Sequence, residues 1–290
     1  MKYLKGERVI HPGMSAWGVG EVLEDSGENN VRVFFVGTGE KTLSLKHVTP
    51  TRVSGQDAAH PVLDNLKISK SASGIRYQSL PESIQVFLSQ FPGGFRGERF
   101  CKHERDYKDK ASRQTSDLLG KEPFDALLAA GDHEEVARRA IKLINATNLV
   151  YPGEKISLRD GLKDESARSL FSLALHGLLH GEGPFEDRFS GFATVLDDIG
   201  AGKWTTATYF LFFLHPSQYM FVKPTITQFA AELCGFELNY TPQLNWRTYH
   251  SVLGFSRYLF DALAELEPRD MIDVQSFMWC IAPGTYTDGD

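Results

Sequence analysis

The stretch from Thr194 to Leu233 constrains the fold of this chain more than any other. It reads TVLDDIGAGKWTTATYFLFFLHPSQYMFVKPTITQFAAEL. Apolar residues recur at helical spacing on both sides of a short turn, and the two glycines of that turn permit a tight reversal. Proline at position 216 ends the next helix, because it removes a backbone donor and disfavours helical geometry just before it. The stretch therefore predicts three consecutive helices, which end at Leu196, open at Lys203 and run from Thr225 to Cys234.

The turn from Ile199 to Lys203 has the properties of an anion-binding site. The first backbone N–H groups of a helix have no partner within it, and the helix dipole is positive at that end. Lys203 adds a positive charge and Thr205 adds a hydroxyl to the same place. In a protein that binds DNA, the anion expected at such a helix start is a backbone phosphate.

An apolar–Gly–x–Gly turn that opens a helix with a basic residue resembles the helix-hairpin-helix of DNA glycosylases. That superfamily places its catalytic aspartate about one helix later, in a loop before another helix. The matching loop here is Met220 to Pro224, and it carries Lys223 where the superfamily has aspartate. The resemblance covers about the last half of the chain. It implies DNA contacts by residues of the turn and the helix start: Gly200, Gly202, Lys203, Trp204 and Thr205.

The candidate catalytic residues follow from the chemistry of base excision. The enzyme must flip a base into a pocket and stabilise the positive sugar that forms as the glycosidic bond breaks. A carboxylate of Asp197 or Asp198 in the turn fits that task. Alternatively, Lys203 or Lys223 attacks the sugar covalently; the resembling lyase-type enzymes carry their lysine at the helix start, which favours Lys203. The residues expected to line a base pocket are Tyr219, Gln275 and Trp279.

A second group of cations lies upstream, between Arg96 and Arg113. A helix from about Gly97 to Leu119 would place Arg99, Lys102 and Arg105 near one face. Two interpretations stay open, a helix that follows DNA phosphates and a solvated face laced with salt bridges.

The first 52 residues form a separate unit in sequence terms. Short alternating runs separated by Gly, Asn and Asp turns predict a small antiparallel β-barrel. The order G-E-R-V-x-H-P, W-G-V-G-E-V, V-R-V-F-F and G-E-K-T-L resembles the small Tudor- or SH3-like barrels of bacterial helicases and transcription factors. The resemblance implies a protein or nucleic-acid partner for this unit.

The remaining boundaries follow from composition and periodicity. Residues 53–76 are rich in Ser, Gly, Ala, Asp and Lys and predict a linker. Helical patterns fill residues 77–284 and predict a helix-hairpin-helix-like domain, and residues 285–290 are a polar tail. The fold class predicted is α+β, mainly α. The segment Leu211–Leu214 is expected to belong to an amphipathic helix of ordinary length.

Composition limits the cellular compartment, the binding partners and the cofactors to be expected. The net charge of −6 argues against coating of nucleic acid, but a local basic patch suffices for DNA binding. Three widely spaced cysteines favour a reducing compartment over a disulfide framework or a zinc site. The sequence has no membrane-length apolar run and no signal peptide, so a cytoplasmic protein is expected, at the nucleoid when bound to DNA. No metal and no cofactor are expected.

Two functions fit these residues. The first is a DNA glycosylase that excises damaged or modified bases from double-stranded DNA, in repair or in defence against phages. The second is a non-catalytic adaptor that binds DNA or a protein partner in transcription, repair or defence. Lysine at position 223 favours the adaptor. A deep aromatic pocket that contains an acid would favour the glycosylase.

Overall fold

A computed structural model describes residues 2–67, 80–282 and 285–286. The chain divides into two compact units, which we describe separately. The first unit comprises the described residues of 1–90, 228–238 and 281–290, and the second comprises 91–227 and 239–280.

The N-terminal part of the first unit is a five-stranded antiparallel sheet in the order β4-β3-β2-β1-β5. Alternation of buried and exposed residues along the strands gives the sheet one apolar face, which surrounds Tyr3, Val33 and Phe35. Tyr3 donates a hydrogen bond from its hydroxyl to the Pro50 carbonyl at 2.7 Å and so joins the segments that lead into two neighbouring strands, Arg8–Ile10 and Thr51–Val53. The strands are β1 (Arg8–Ile10), β2 (Val19–Val22), β3 (Asn30–Phe35), β4 (Gly39–Ser44) and β5 (Thr51–Val53).

Part of the predicted linker has regular structure within the first unit. After β5 the chain forms a 3₁₀ turn and a short helix, and Arg8 bonds to the Ala58 carbonyl and the Asp64 carboxylate. Leu66 then pairs with Phe236 in an isolated antiparallel bridge. Residues 68–76 of the predicted linker, and most of the predicted tail, lie outside the described residues. The domain boundary at 53–76 stays a prediction.

The rest of the described chain is almost entirely helical, which confirms the predicted α+β, mainly α class. None of the described helices is both long and apolar enough to cross a membrane. The helices are α1 (Pro61–Asp64), α2 (Leu80–Gln90), α3 (Glu98–Phe100), α4 (Asp106–Leu119), α5 (Lys121–Ala129), α6 (His133–Asn145), α7 (Pro152–Gly161), α8 (Glu165–His180), α9 (Phe185–Asp198), α10 (Trp204–Leu214), α11 (Pro224–Leu233), α12 (Trp246–Ala262) and α13 (Met271–Cys280).

Acidic side chains cap the starts of α8 and α13. Asp164 accepts hydrogen bonds from the N–H groups of Ser166 and Ala167, and the carboxylate of Asp270 accepts from Ile272 N–H. Helix α7 begins instead with Pro152. Proline is favoured at a first helical position, where no N–H is needed.

The core of the second unit is organised around α10. Every residue of α10 except Leu214 is buried. Helices α4, α7, α8 and α9 pack against it. The prediction of an amphipathic helix around Leu211–Leu214 is therefore wrong, since a helix that is apolar on all sides is a central one. Within this helix Thr208 satisfies its hydroxyl locally, by donating to the Trp204 carbonyl at 2.7 Å.

The predicted helix from Gly97 to Leu119 contains a π-helical segment, Cys101–Arg105, between α3 and α4. The Arg105 guanidinium is buried, and it bonds to both carboxylate oxygens of Asp270 at 2.7 Å and to Asp273 at 3.1 Å. Arg105 thus has a structural role in place of the predicted phosphate contact. Single-turn π segments often mark functional positions in helices.

Candidate functional site

The predicted hairpin turn joins α9 to α10 in the second unit. The N–H of Ala201 bonds to the Leu196 carbonyl at 2.8 Å, and the N–H of Gly200 bonds to the Asp197 carbonyl at 3.0 Å. Gly200 has φ of 72°, a left-handed conformation that glycine adopts without strain. These two bonds and the left-handed glycine form a Schellman motif, which satisfies the last carbonyls of α9.

The second glycine of the turn serves close packing. A side-chain carbon on Gly202 would overlap Asp197 Oδ1, so the carboxylate of Asp197 lies over the turn. Asp197, Asp198 and Lys203 are exposed. Lys203 is the N-cap of α10, and no side chain caps this helix start. The turn therefore presents one lysine to solvent next to two acids, at a helix start whose N–H groups no side chain caps.

Helix α7 braces the hairpin at both of its own ends. At its C-terminal end, a side-chain carbon on Gly161 would overlap the Ile199 carbonyl oxygen, so only glycine permits this approach. At its N-terminal end, Glu154 accepts hydrogen bonds from Thr205 Oγ1 at 2.8 Å and from Tyr151 N–H at 3.2 Å. The turn and the start of α10 are consequently held in a fixed position.

Two residues predicted to contact DNA are directed into the protein instead. Trp204 is buried, and its indole N–H donates to the Thr241 carbonyl at 2.9 Å. Thr205 is buried and its hydroxyl donates to Glu154. Trp204 and Thr205 directly follow the N-cap Lys203 and face the core. Their side chains therefore hold the start of α10 in position. Gly200 and Lys203 are the exposed members of the predicted set.

The loop that carries Lys223 is pinned to the core by polar contacts. Val222 donates its N–H to Thr208 Oγ1 at 2.9 Å, and Tyr249 donates its hydroxyl to the Met220 carbonyl at 3.1 Å. Met220, Phe221 and Val222 are buried. Lys223 therefore leaves the core from a rigid backbone, at the first turn of α11.

The Lys223 amine occupies an unusual environment for a lysine. The side chain is half-buried, and its Nζ lies 4.3 Å from the centroid of the Trp279 ring. No described side chain or carbonyl accepts a hydrogen bond from it. Burial, together with the nearby charge of Lys108, lowers the pKa of Lys223, against the opposite effects of Glu154 and Glu104. A half-buried amine of lowered pKa is a candidate nucleophile.

The three residues predicted to line a base pocket do not share one environment. Trp279 faces the Lys223 amine. Gln275, one helical turn earlier on α13, is buried and accepts a hydrogen bond from Lys108 at 2.8 Å. Tyr219 stacks on Phe185, with ring centroids 4.5 Å apart. The structure thus places Trp279 at the Lys223 site, gives Gln275 a structural partner and assigns Tyr219 to an aromatic cluster.

Of the three upstream cations predicted to share one helix face, two are exposed to solvent. Arg99 and Lys102 are exposed, and the Arg99 guanidinium lies 5.7 Å from the ring centroid of Phe91. Arg105 is buried among carboxylates, as described above. The interpretation as a phosphate-tracking face therefore rests on two residues rather than three.

Sequence reasoning missed three charged residues of the site: Glu104, Lys108 and Glu154. The sequence around Glu154 could have indicated its role. Tyr151 is the N-cap of α7, and Glu154 stands three positions later, where an acidic side chain accepts the N-cap N–H. Lys108 and Glu104 stand at i and i+4 on a helix, which is also the pattern of an ordinary surface ion pair. Only their burial distinguishes them.

Comparison with known proteins gives one family match, and it lies in the first unit. Residues 4–53 match a family described as a protein of unknown function, DUF3553. No curated protein and no solved structure matches the chain.

Proposed function

We propose that the chain binds double-stranded DNA through the α9–α10 turn and excises a damaged or modified base with the Lys223 amine as nucleophile. One observation carries the proposal: Lys223 has a half-buried amine of lowered pKa that faces an indole ring and has no described hydrogen-bond acceptor. The loop of Lys223 replaces the aspartate loop of the helix-hairpin-helix glycosylases, which the turn resembles. The resemblance favours Lys203 as nucleophile, but the burial and lowered pKa of Lys223 make it the better candidate than the exposed Lys203.

The chemistry proposed for Lys223 needs no cofactor. The neutral amine adds to C1′ of the deoxyribose, and the C1′–N bond breaks with its electron pair on the base, which takes up a proton. The lysine nitrogen then loses one proton, and the C1′–O4′ bond opens with its electron pair on O4′, which takes up a proton. A protonated imine between lysine and C1′ results. Glu154, whose charge acts on Lys223, stabilises the positive sugar as the base departs. The Trp279 ring offers a face on which a flipped base stacks.

Lys203 and Lys223 have separate tasks in this proposal. Lys203 is exposed at an uncapped helix start, where a phosphate accepts backbone N–H groups and a positive charge. Glu154 connects the two places, because it accepts a hydrogen bond from Thr205 in the first turn of α10 and acts electrostatically on Lys223.

Borohydride trapping on a panel of duplexes with different modified bases tests the proposal. Wild type should form a protein–DNA adduct with at least one duplex, and peptide mass spectrometry should place the adduct on Lys223. The Lys223→Ala variant should form none. The matched control Lys203→Ala should still form the adduct at high protein concentration, since it lacks only the phosphate contact. An adduct that persists in Lys223→Ala would refute the assigned role.

A second candidate function is a non-catalytic DNA-binding adaptor. It is favoured by the exposed turn around Lys203 together with the lysine that stands where the glycosylases have aspartate. In that case wild type binds duplex DNA but generates neither abasic sites nor adducts on any duplex of the panel.

A further inference from the structure

A buried ammonium lies within electrostatic range of Lys223. Lys108 on α4 is fully buried, and all three of its N–H donors have acceptors. They bond to Glu104 Oε2 at 2.9 Å, to Gln275 Oε1 at 2.8 Å and to Ser276 Oγ at 2.7 Å. Burial opposes this charge, but the charge and hydrogen bond of Glu104, together with Tyr107 and Cys280, outweigh burial, so the pKa of Lys108 is raised. The Lys108 ammonium is consequently a fixed charge.

Lys108 and Lys223 both contact helix α13. Gln275, which binds Lys108, and Trp279, which faces Lys223, are four residues apart on this helix. Side chains at that spacing lie on one face with their Cβ atoms about 5–6 Å apart. The two amines therefore contact neighbouring side chains on one face of α13. The Lys108 amine lies inside the core, and the Lys223 amine lies at its edge.

The charges that act on Lys223 come from three elements. Lys108 on α4 opposes protonation of the Lys223 amine, whereas Glu104 on the π-helical segment and Glu154 on α7 favour it. Tyr107 and Cys280 are further titratable groups that interact with Lys108. Trp279 contributes the uncharged ring. Lys108 has a larger effect on the pKa of Lys223 than either acid. The Lys108–Glu104 pair, taken together, therefore opposes protonation of the Lys223 amine.

We propose that Lys108, held by Glu104, Gln275 and Ser276, is a positioning residue whose fixed charge adds to burial in favouring the reactive, unprotonated form of the Lys223 amine. Lys108 itself cannot react, because each of its donors is bonded inside the core. The pattern is that of an amine activated by a second cation in a partly dry site. The inference rests on the proposed function for its purpose, but its test requires no DNA.

Competitive labelling with trace acetic anhydride measures the protonation of individual lysines, because only the neutral amine reacts. The full chain is labelled from about pH 7 to about pH 11, a range that brackets an ordinary lysine. Peptide mass spectrometry then gives the midpoint for Lys223. Lys203, which is exposed, provides an internal reference in the same samples.

Three variants separate charge from packing. Lys108→Met with Glu104→Gln replaces the pair by neutral side chains of similar size, a change that buried ion pairs often tolerate. Lys108→Met alone is the second neutral variant, and Lys108→Arg keeps the charge while it disturbs the packing. Lys108→Met alone should raise the Lys223 midpoint by on the order of half a pH unit. The double variant should raise it by less, because it also removes Glu104, which favours protonation of the same amine. Lys108→Arg should leave it unchanged, even if its melting temperature falls.

The outcomes are decisive for Lys108 and independent of catalysis. An unchanged or lowered Lys223 midpoint in either neutral variant that unfolds cooperatively overturns the inference. An equal rise in Lys108→Arg also overturns it, because loosened packing then explains the change. Failure of the DNA trapping experiment with the labelling result intact would refute the proposed function and leave the electrostatic role of Lys108 in place.

Discussion

Three lysines of the second unit show how much the surroundings of one residue type decide. Lys203 is exposed at a helix start, Lys223 is half-buried against an indole ring, and Lys108 is fully buried with three acceptors. Their side chains are chemically identical. Burial and neighbouring charges make the first suited to binding phosphate, the second to nucleophilic attack and the third to a fixed electrostatic role.

Replacement of Lys203 by alanine tests its role as a phosphate contact. Loss of one cation beside one phosphate should weaken duplex binding similarly across sequences and reduce the slope of log K against log salt by about one. The melting temperature should hardly change, because an exposed lysine contributes little to folding. Filter binding at several salt concentrations measures the slope. An unchanged affinity and slope would mean that the turn is not a DNA contact.

At the scale of elements, the hairpin depends on its neighbours as much as on its own sequence. The Schellman motif closes α9 through local bonds. Helix α7, by contrast, approaches the turn closely at Gly161 and reaches the start of α10 through Glu154. The hairpin is therefore a rigid part of the helical unit, which suits a surface that aims backbone N–H groups at a ligand.

The packing at Gly202 predicts a moderate effect of adding a side chain there. A Gly202→Val substitution should lower the free energy of unfolding by about 1 kcal/mol and weaken DNA binding, since the new carbon displaces the exposed Asp197 carboxylate and lies 3.2 Å from the Asp197 Cα. Gly191→Ala is the matched control at an exposed position of helix α9, where nothing lies within 4 Å of the added carbon. It should raise stability by about 0.5–1 kcal/mol. Urea unfolding measures both; equal effects would contradict the packing argument.

At the scale of the whole molecule, buried and paired ionisable groups couple folding to pH. Arg138 and Arg139 lower the pKa of Glu135 to about 2. Burial lowers the pKa of His180, although its bond to the Leu119 carbonyl acts in the opposite direction. Both groups have folded pKa values below their ordinary ones. Each therefore contributes stability above its unfolded pKa, and that contribution is lost as pH falls through the folded pKa.

The histidine contribution predicts a loss of stability under mildly acidic conditions. Because unfolded histidine titrates near about 6.5, the free energy of unfolding should start to fall as pH drops below about 7. His180→Gln keeps a donor for the Leu119 carbonyl but does not titrate, so its curve should be flatter between about pH 7 and about pH 5. His103→Gln, at an exposed position, is the control and should retain the wild-type curve. Urea midpoints across this range measure the difference, and identical curves for wild type and His180→Gln would contradict it.

The sequence by itself determined the class of fold, the N-terminal strands and the hairpin. These follow from periodicity, proline and glycine, which act within a few residues and leave a readable pattern. It also named Lys223 and Trp279 as candidates, but not as neighbours. Only the tertiary structure decided that Trp204 and Arg105 face inward, that α10 is buried on all sides, and that Lys108 lies next to the Lys223 site. The reason is that burial and charge proximity depend on contacts between residues far apart in the chain, and no local pattern encodes such contacts. Lys108 and Ser276, for example, are separated by 168 positions.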